Sequence, residues 1–260
     1  MIPRVGSEVI VAVVSAAVSL GSAVLAGWMT TWSVQRTRRY ESLIEAQERA
    51  QTKAEQAEAV LSRYREPLLG AAHSLQARLY NIVQQNFLVA YLGPDDAVDQ
   101  RYARDYTVYV LAEYLCWAEI IRRDLRFLDL SSVAANHHFV ELLETSQRAL
   151  SREAFARPWR LFRGEQRAIG ELMMVRTEDT DAARHESLGY VQFCARLDEE
   201  PGFAQWFARL RSDIDDLAVD RTNQARLIAL QNTLIDLIEF LDPERLRLPA
   251  KYRDRLKSPG

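Results

Sequence analysis

The residues of this 260-residue chain best suited to chemistry are carboxylates and arginines that fall on apolar helical faces. In LFRGEQRAIGELMM, residues 161–174, Phe162, Ile169, Leu172 and Met173 form one stripe of a helical projection. Glu165 lies on that stripe, three residues after Phe162 and four before Ile169. Arg78 falls in the same way beside Leu75, Leu79 and Ile82, and Glu113 between Tyr109, Val110 and Trp117. A charge on an inward face must find a partner, because an isolated one is costly to desolvate. The pattern therefore predicts a buried or half-buried network in which Arg78 meets Glu113 or Glu165. Arg167 and Glu171, four residues apart on the adjoining face, are expected to form a local pair.

Two carboxylates inside a bundle can act as acid and base if their surroundings drive their pKa values apart. Internal ion pairs more commonly fix helix register, so a structural role is the leading expectation and a ligand pocket its alternative. No catalytic residue is assigned. Gly170, in the same stretch, reads as a point of close helix contact that offsets its poor helix propensity.

Other chemistries lack their patterns. Neither a Gly-x-x-x-x-Gly-Lys-Ser/Thr nor a Gly-x-Gly-x-x-Gly loop occurs, and there is no Gly-x-Ser-x-Gly elbow. The four histidines are His73, His137, His138 and His185; the adjacent pair points apart on a helix. His137 with Glu141 has ligand spacing but needs a third donor from elsewhere, and no Glu-x-x-His pair exists. No metal or other cofactor is expected. Cys116 and Cys194 lie in apolar stretches and read as reduced core thiols. A net charge of -3 gives no electrostatic footprint for nucleic acid.

The elements that must position these residues are helices. Glycine (10) and proline (8) are scarce, which disfavours an all-β chain with its frequent turns. From Val9 to Trp32 the sequence VIVAVVSAAVSLGSAVLAGWMTTW carries no charge. At about 1.5 Å per residue it is long enough for a hydrocarbon core of roughly 30 Å. Trp28 and Trp32 stand at its end, and Arg36, Arg38 and Arg39 follow, so the positive-inside rule puts the remainder in the cytoplasm. A cleaved signal is the competing reading, with small residues around Val24-Leu25-Ala26. The run is longer than a usual signal core of about 7–15 residues, and its N-terminal flank is only weakly basic. Ser15, Ser19, Ala23 and Gly27 recur every four residues, a stripe that lets two helices approach closely in lipid.

Between Trp28 and Glu66 no proline or further glycine interrupts the helix formers. Tyr40, Leu43, Gln47, Ala50, Ala54, Ala57, Leu61 and Tyr64 step by threes and fours like a thin coiled-coil seam. The spacing predicts a helix opening at Pro67 and running to Gly93-Pro94, and a central helix within 101–130, apolar around much of its surface. It then predicts one from Ser131-Ser132 to about Arg152, one opening at Arg157-Pro158, and a loop at 176–187. Helices over 187–198, 201–218 and 222–241 follow. Residues 244–260, with Arg245, Arg247, Lys251, Arg253, Arg255 and Lys257, read as a solvated basic tail.

The expected architecture is all-α: an antiparallel bundle of about six to eight helices behind a membrane anchor and stalk. Its divisions are a tail at 1–8, a transmembrane helix at 9–32, a stalk at 33–65, the bundle at 66–243 and the basic tail at 244–260. Four segments, YREPLLGAAHSLQARLYNIVQQNFL, LAEYLCWAEIIRR, LFRGEQRAIGEL and LIDLIEFLDP, resemble a family of uncharacterised bacterial helical proteins, with similar wording in some plant sequences. That resemblance implies one domain over most of residues 64–243 and carries no functional residues.

The leading functional expectation is a single-pass scaffold or interaction module in the inner (plasma) membrane, self-associating, with the lipid bilayer and a protein as partners. The alternatives are a small-molecule sensor or enzyme with a pocket including Glu113, Glu165 and Arg78, and an oligomeric membrane effector assembled through the Ser15–Gly27 face.

Overall fold

A computed structural model describes residues Gln47, 51–52, 62–125, 134–177 and 184–257. The segment read as a membrane helix and most of the stalk lie outside these residues. Among the described residues no helix is long and apolar enough to cross a membrane. The chain divides into two units, Met1–Glu55 and Gln56–Gly260, and the elements below belong to the second.

This unit is predominantly helical. Helix α1 covers residues 62–84, α2 is Phe87–Leu92, α3 Ala97–Leu125, α4 Ala134–Ser151 and α5 Arg163–Leu172. Strands β1 (Met174–Thr177) and β2 (Arg184–Ser187) follow, then α6 (Tyr190–Glu199), α7 (Pro201–Val219) and α8 (Ala225–Leu241). The strands pair antiparallel, Met174 opposite Ser187 and Thr177 opposite Arg184. This hairpin corrects the loop expected at 176–187. Four-residue strands, MVRT and RHES, are too short and too little alternating to be read from pattern, and their ladder is extended by Leu188 N–H donating to the Met173 carbonyl at 2.7 Å.

Two helix starts also differ from the expected ones. Pro67 lies inside α1, which is already helical at residue 62. At the far end, Asn86 breaks the expected single helix with a left-handed backbone (φ 56, ψ 32), a conformation asparagine tolerates better than most residues. The chain then turns into α2, which packs against α3 and α7.

Helix α3 is central, touching α2, α5, α6, α7 and β2, as its nearly all-round apolar surface requires. It runs antiparallel to α1: Tyr64 meets Trp117 and donates to Asp124, while Arg78 meets Tyr102 and Tyr106. Against α5 it comes very close. A Cβ on Gly170 would stand 2.7 Å from the Leu115 carbonyl oxygen and 2.9 Å from Glu119 Cβ, so only glycine fits that approach. Helices α4 and α8 form the other main antiparallel pair, Phe139 stacking on Phe240 at one end.

At the other end of that pair lies an arginine clamp. The segment expected to begin a helix at Arg157-Pro158 is instead non-helical from Arg152 to Phe162. Arg226, 1% exposed at the start of α8, donates to the carbonyls of Ala149 (2.8 Å), Leu150 (2.6 Å), Arg152 (2.9 Å), Ala156 (3.0 Å) and Pro158 (3.2 Å). These include the last carbonyls of α4, which no helical N–H can satisfy and which carry the negative end of its dipole. From α7, Asp213 accepts the Trp159 N–H at 2.8 Å. Trp159 is fully buried with φ 59, a left-handed conformation that a bulky residue holds only when its surroundings fix it. The single peptide unit joining Pro158 to Trp159 thus lies between a guanidinium and a carboxylate.

The C-terminal residues also depart from expectation. Asp242 accepts from the N–H groups of Leu246, Arg247 and Leu248 and pairs with Arg253 at 2.6 Å, both side chains being buried. Gln231 receives the Leu256 N–H and donates to the Asp254 carbonyl. The segment read as a solvated tail is therefore folded back onto α8. Its apolar Leu256 and the buried Arg253–Asp242 pair outweigh its basic composition.

Replacing Arg226 by Met keeps its bulk but strands several buried carbonyls, and should cost about 3 kcal/mol or more in urea unfolding. Arg226→Lys keeps the charge without the fork and should recover less than half of that loss. An Arg226→Met protein as stable as the parent would show that water substitutes for the clamp.

Candidate functional site

The charges singled out in the sequence do not form one network. Arg78 is buried, but its guanidinium lies over the rings of Phe87 (4.1 Å), Tyr106 (4.9 Å) and Tyr102 (5.3 Å). One nitrogen donates to the Tyr102 hydroxyl at 3.1 Å; the other terminal nitrogen, Nη1, is buried without a partner. Three aromatic faces supply the negative potential that a carboxylate was expected to supply. The break at Asn86 makes this possible by folding Phe87 back over the cation.

Glu113 is half-buried and accepts from the Tyr109 hydroxyl at 3.3 Å, four residues earlier on α3. Burial pushes its carboxyl above the usual range, with the tyrosine bond opposing, and pushes the Tyr109 phenol up as well. One turn on, Cys116 is buried and its thiol is pushed up to about 12, chiefly by burial, which leaves it inert at neutral pH. Cys194 is also a free thiol, half-buried.

Glu165 is only partly buried. It accepts the Phe162 N–H at 2.7 Å, satisfying an orphan donor at the start of α5, and pairs with Arg209 of α7 at 3.1 Å. Position three of a helix is where a reaching-back glutamate belongs, which explains how it can sit on an apolar stripe without being dry. Glu171 pairs with Arg123 of α3 at 2.6 Å rather than with Arg167, which is exposed and makes no ion pair among the described residues.

The buried carboxylate beside Gly170 is Glu119, 3% exposed, which bonds both Arg122 and Arg123. Burial alone would raise its pKa, but the two guanidinium bonds outweigh that and hold it low. Asp105, 2% exposed, lies 3.3 Å from Arg101 and 3.0 Å from Arg211; desolvation outweighs both cations and raises it. Glu119 and Arg226 sit on inward faces by the same reading that picked out Glu113: Glu119 lies four residues after Leu115, and Arg226 four before Leu230. The signal was available for these residues too. Of the histidines, His138 lies 3.9 Å from Glu141 and edge-on to Phe240.

What the opening stretch does build is a surface. Leu161, Glu165 and Ile169 line an open pocket of about 390 Å³ with Gln205, Trp206 and Arg209 of α7. Phe162 and Trp206 beside it are 45% and 41% exposed. The arginines there are held in place: Arg209 donates to the Arg160 carbonyl at 2.6 Å, and Arg160 lies over the Phe162 ring. An exposed tryptophan and phenylalanine framed by fixed arginines are the side chains that carry binding energy at protein interfaces.

Comparison with family models, curated proteins and solved structures returns no match. The four segments that carry the resemblance all lie within the one unit from Gln56 to Gly260.

Glu113 offers a direct test. A carboxyl raised by burial stabilises the fold below its unfolded pKa and loses that contribution as pH rises through the folded value. Glu113→Gln keeps an acceptor for Tyr109 without the charge. It should unfold at a higher temperature than the parent at pH 7, the gap closing toward pH 4. A gap that is absent at pH 7, or that widens on acidification, would place a cation beside Glu113.

Proposed function

We propose that this chain is a single-pass, membrane-anchored interaction module whose helical domain faces the cytoplasm and which self-associates. The observation that carries the interaction reading is the exposed Phe162–Trp206 surface on α5 and α7, with its arginines already immobilised. Preorganised anchors lose little conformational freedom on binding. The uncharged run from Val9 to Trp32 and the arginines after it support the anchor and its orientation.

The buried charges favour this reading over an enzyme. Glu119, Glu165 and Asp213 are each committed to a guanidinium or to a backbone N–H that the fold needs satisfied. Glu113 and Glu165, the carboxylates of the alternative pocket reading, bond to different elements, Tyr109 of α3 and Arg209 of α7. Self-association is supported by the small-residue stripe Ser15, Ser19, Ala23 and Gly27 together with the seam that follows it.

Light scattering of the full chain in a non-ionic detergent tests the proposal. The protein mass should be at least twice that of one chain, and Ser19→Leu/Gly27→Leu should lower it. A monomer at all concentrations removes self-association. A chain that leaves the membrane fraction in alkaline carbonate removes the anchor.

A further inference from the structure

The clamp on α4 sets up a second place on the molecule that is chemically distinct from the Phe162–Trp206 surface. An open pocket of about 550 Å³ lies between α4 and α8, with Arg148 and Arg152 at its charged side and Ala149, Ala229 and Phe155 as its apolar lining. Among the described residues no carboxylate lines it. Arg148 donates to the Glu144 carbonyl at 3.3 Å and to Thr145 Oγ1 at 3.2 Å, and the Arg152 guanidinium lies 5.0 Å over the Phe155 ring. Neither arginine has a carboxylate within ion-pair distance among the described residues. The hydroxyls in the lining already donate to backbone carbonyls, Thr145 to Glu141 and Thr233 to Leu230. Recognition there rests on the two guanidiniums and the apolar wall.

The end of a helix is normally a poor place for an anion, because its free carbonyls carry partial negative charge. Arg226 changes that. It occupies the carbonyls of Ala149, Leu150 and Arg152 from inside the fold, and among the described residues no carboxylate pairs with it directly. Desolvation lowers its pKa to about 10, with nearby Arg160 acting in the same direction. The same side chain pins the backbone that carries Arg152 and Phe155. The pocket is therefore cationic, with its apolar lining held by buried bonds.

We infer that this pocket binds a phosphate ester bearing an apolar group, the phosphate between Arg148 and Arg152 and the apolar part on Ala149, Ala229 and Phe155. Two guanidiniums present several donors to a tetrahedral, multiply charged oxyanion, which a single carboxylate would leave unused. The chemistry is shared by a phospholipid headgroup and by a soluble organophosphate. The inference stands independently of the membrane anchor.

The test uses the full chain in a non-ionic, phosphate-free detergent. Hexyl phosphate is titrated by calorimetry, with hexanol and inorganic phosphate as the two halves of the probe, and phosphatidic acid in mixed micelles as the lipid form. Hexyl phosphate should bind saturably and more tightly than either half. Arg148→Gln/Arg152→Gln, both at exposed positions, should weaken it at least about tenfold. Arg221→Gln/Arg245→Gln removes the same charge elsewhere and should leave binding unchanged. Tighter binding of phosphatidic acid than of hexyl phosphate assigns the lipid headgroup, and the reverse order assigns a soluble ester. No saturable binding of either probe, or equal loss in both double variants, overturns the site.

Discussion

The peptide unit between Pro158 and Trp159 is the point on which this fold turns. Its carbonyl oxygen accepts from Arg226 and its N–H donates to Asp213, so two buried opposite charges from α8 and α7 meet through a peptide rather than directly. A direct pair would leave the carbonyls of residues 149–158 unsatisfied; a neutral pair would leave the left-handed backbone at Trp159 unsupported. With both charges in place, α4 can end inside the structure, the chain can reverse, and Trp159 can fill the core. Lysine could not replace Arg226, since one ammonium cannot reach five carbonyls spread over ten residues.

Elsewhere the buried charges follow the same economy. Asp242 is held by three N–H groups and Arg253, and Glu165 by the Phe162 N–H and Arg209. Arg78 uses aromatic faces instead. In each case desolvation is offset by groups that were themselves in need of partners: helix-end N–H groups, helix-end carbonyls, or a tyrosine hydroxyl. Glu119 and Asp105 are instead met by guanidiniums, Arg122 and Arg123 for the first and Arg101 with Arg211 of α7 for the second, so interior charge serves both chain reversal and helix pairing. Glu113 is the partial exception, with only a long bond from Tyr109 to offset its burial.

Periodicity made the helices legible. The nearly all-round apolar surface of α3 and the helical periods of α5 and α8 could be read directly, and the charges on inward faces at Arg78, Glu113 and Glu165 called for partners. What could not be read was the neutralising partner, because a helical projection shows the side chains of one helix and neither its end groups nor rings brought from another element. The partners of Arg78 are rings brought over it by the turn at Asn86, a one-residue feature invisible to a helical projection. The place of Glu165 on the stripe is explicit, while its place three residues into a helix depends on a start at Arg163 rather than near Arg157. The late start of α5 and the clamp have one cause: a proline is a common helix opening, yet the segment around Pro158 is irregular backbone held by Arg226 and Asp213.

This division of labour bears on where function can reside. Arg226, Asp213, Asp242 and Glu165 are committed to backbone groups, and removing one exposes unsatisfied backbone rather than freeing a reactive group. Arginines at the surface differ among themselves: Arg209 and Arg160 are fixed beside Trp206 and Phe162, whereas Arg148 and Arg152 face a carboxylate-free pocket. The first arrangement suits a flat partner that buries preordered anchors, and the second suits an anion that brings its own charge. Both depend on Arg226, through the backbone of residues 149–160 that it holds. A single buried guanidinium thereby positions two surfaces without appearing on either.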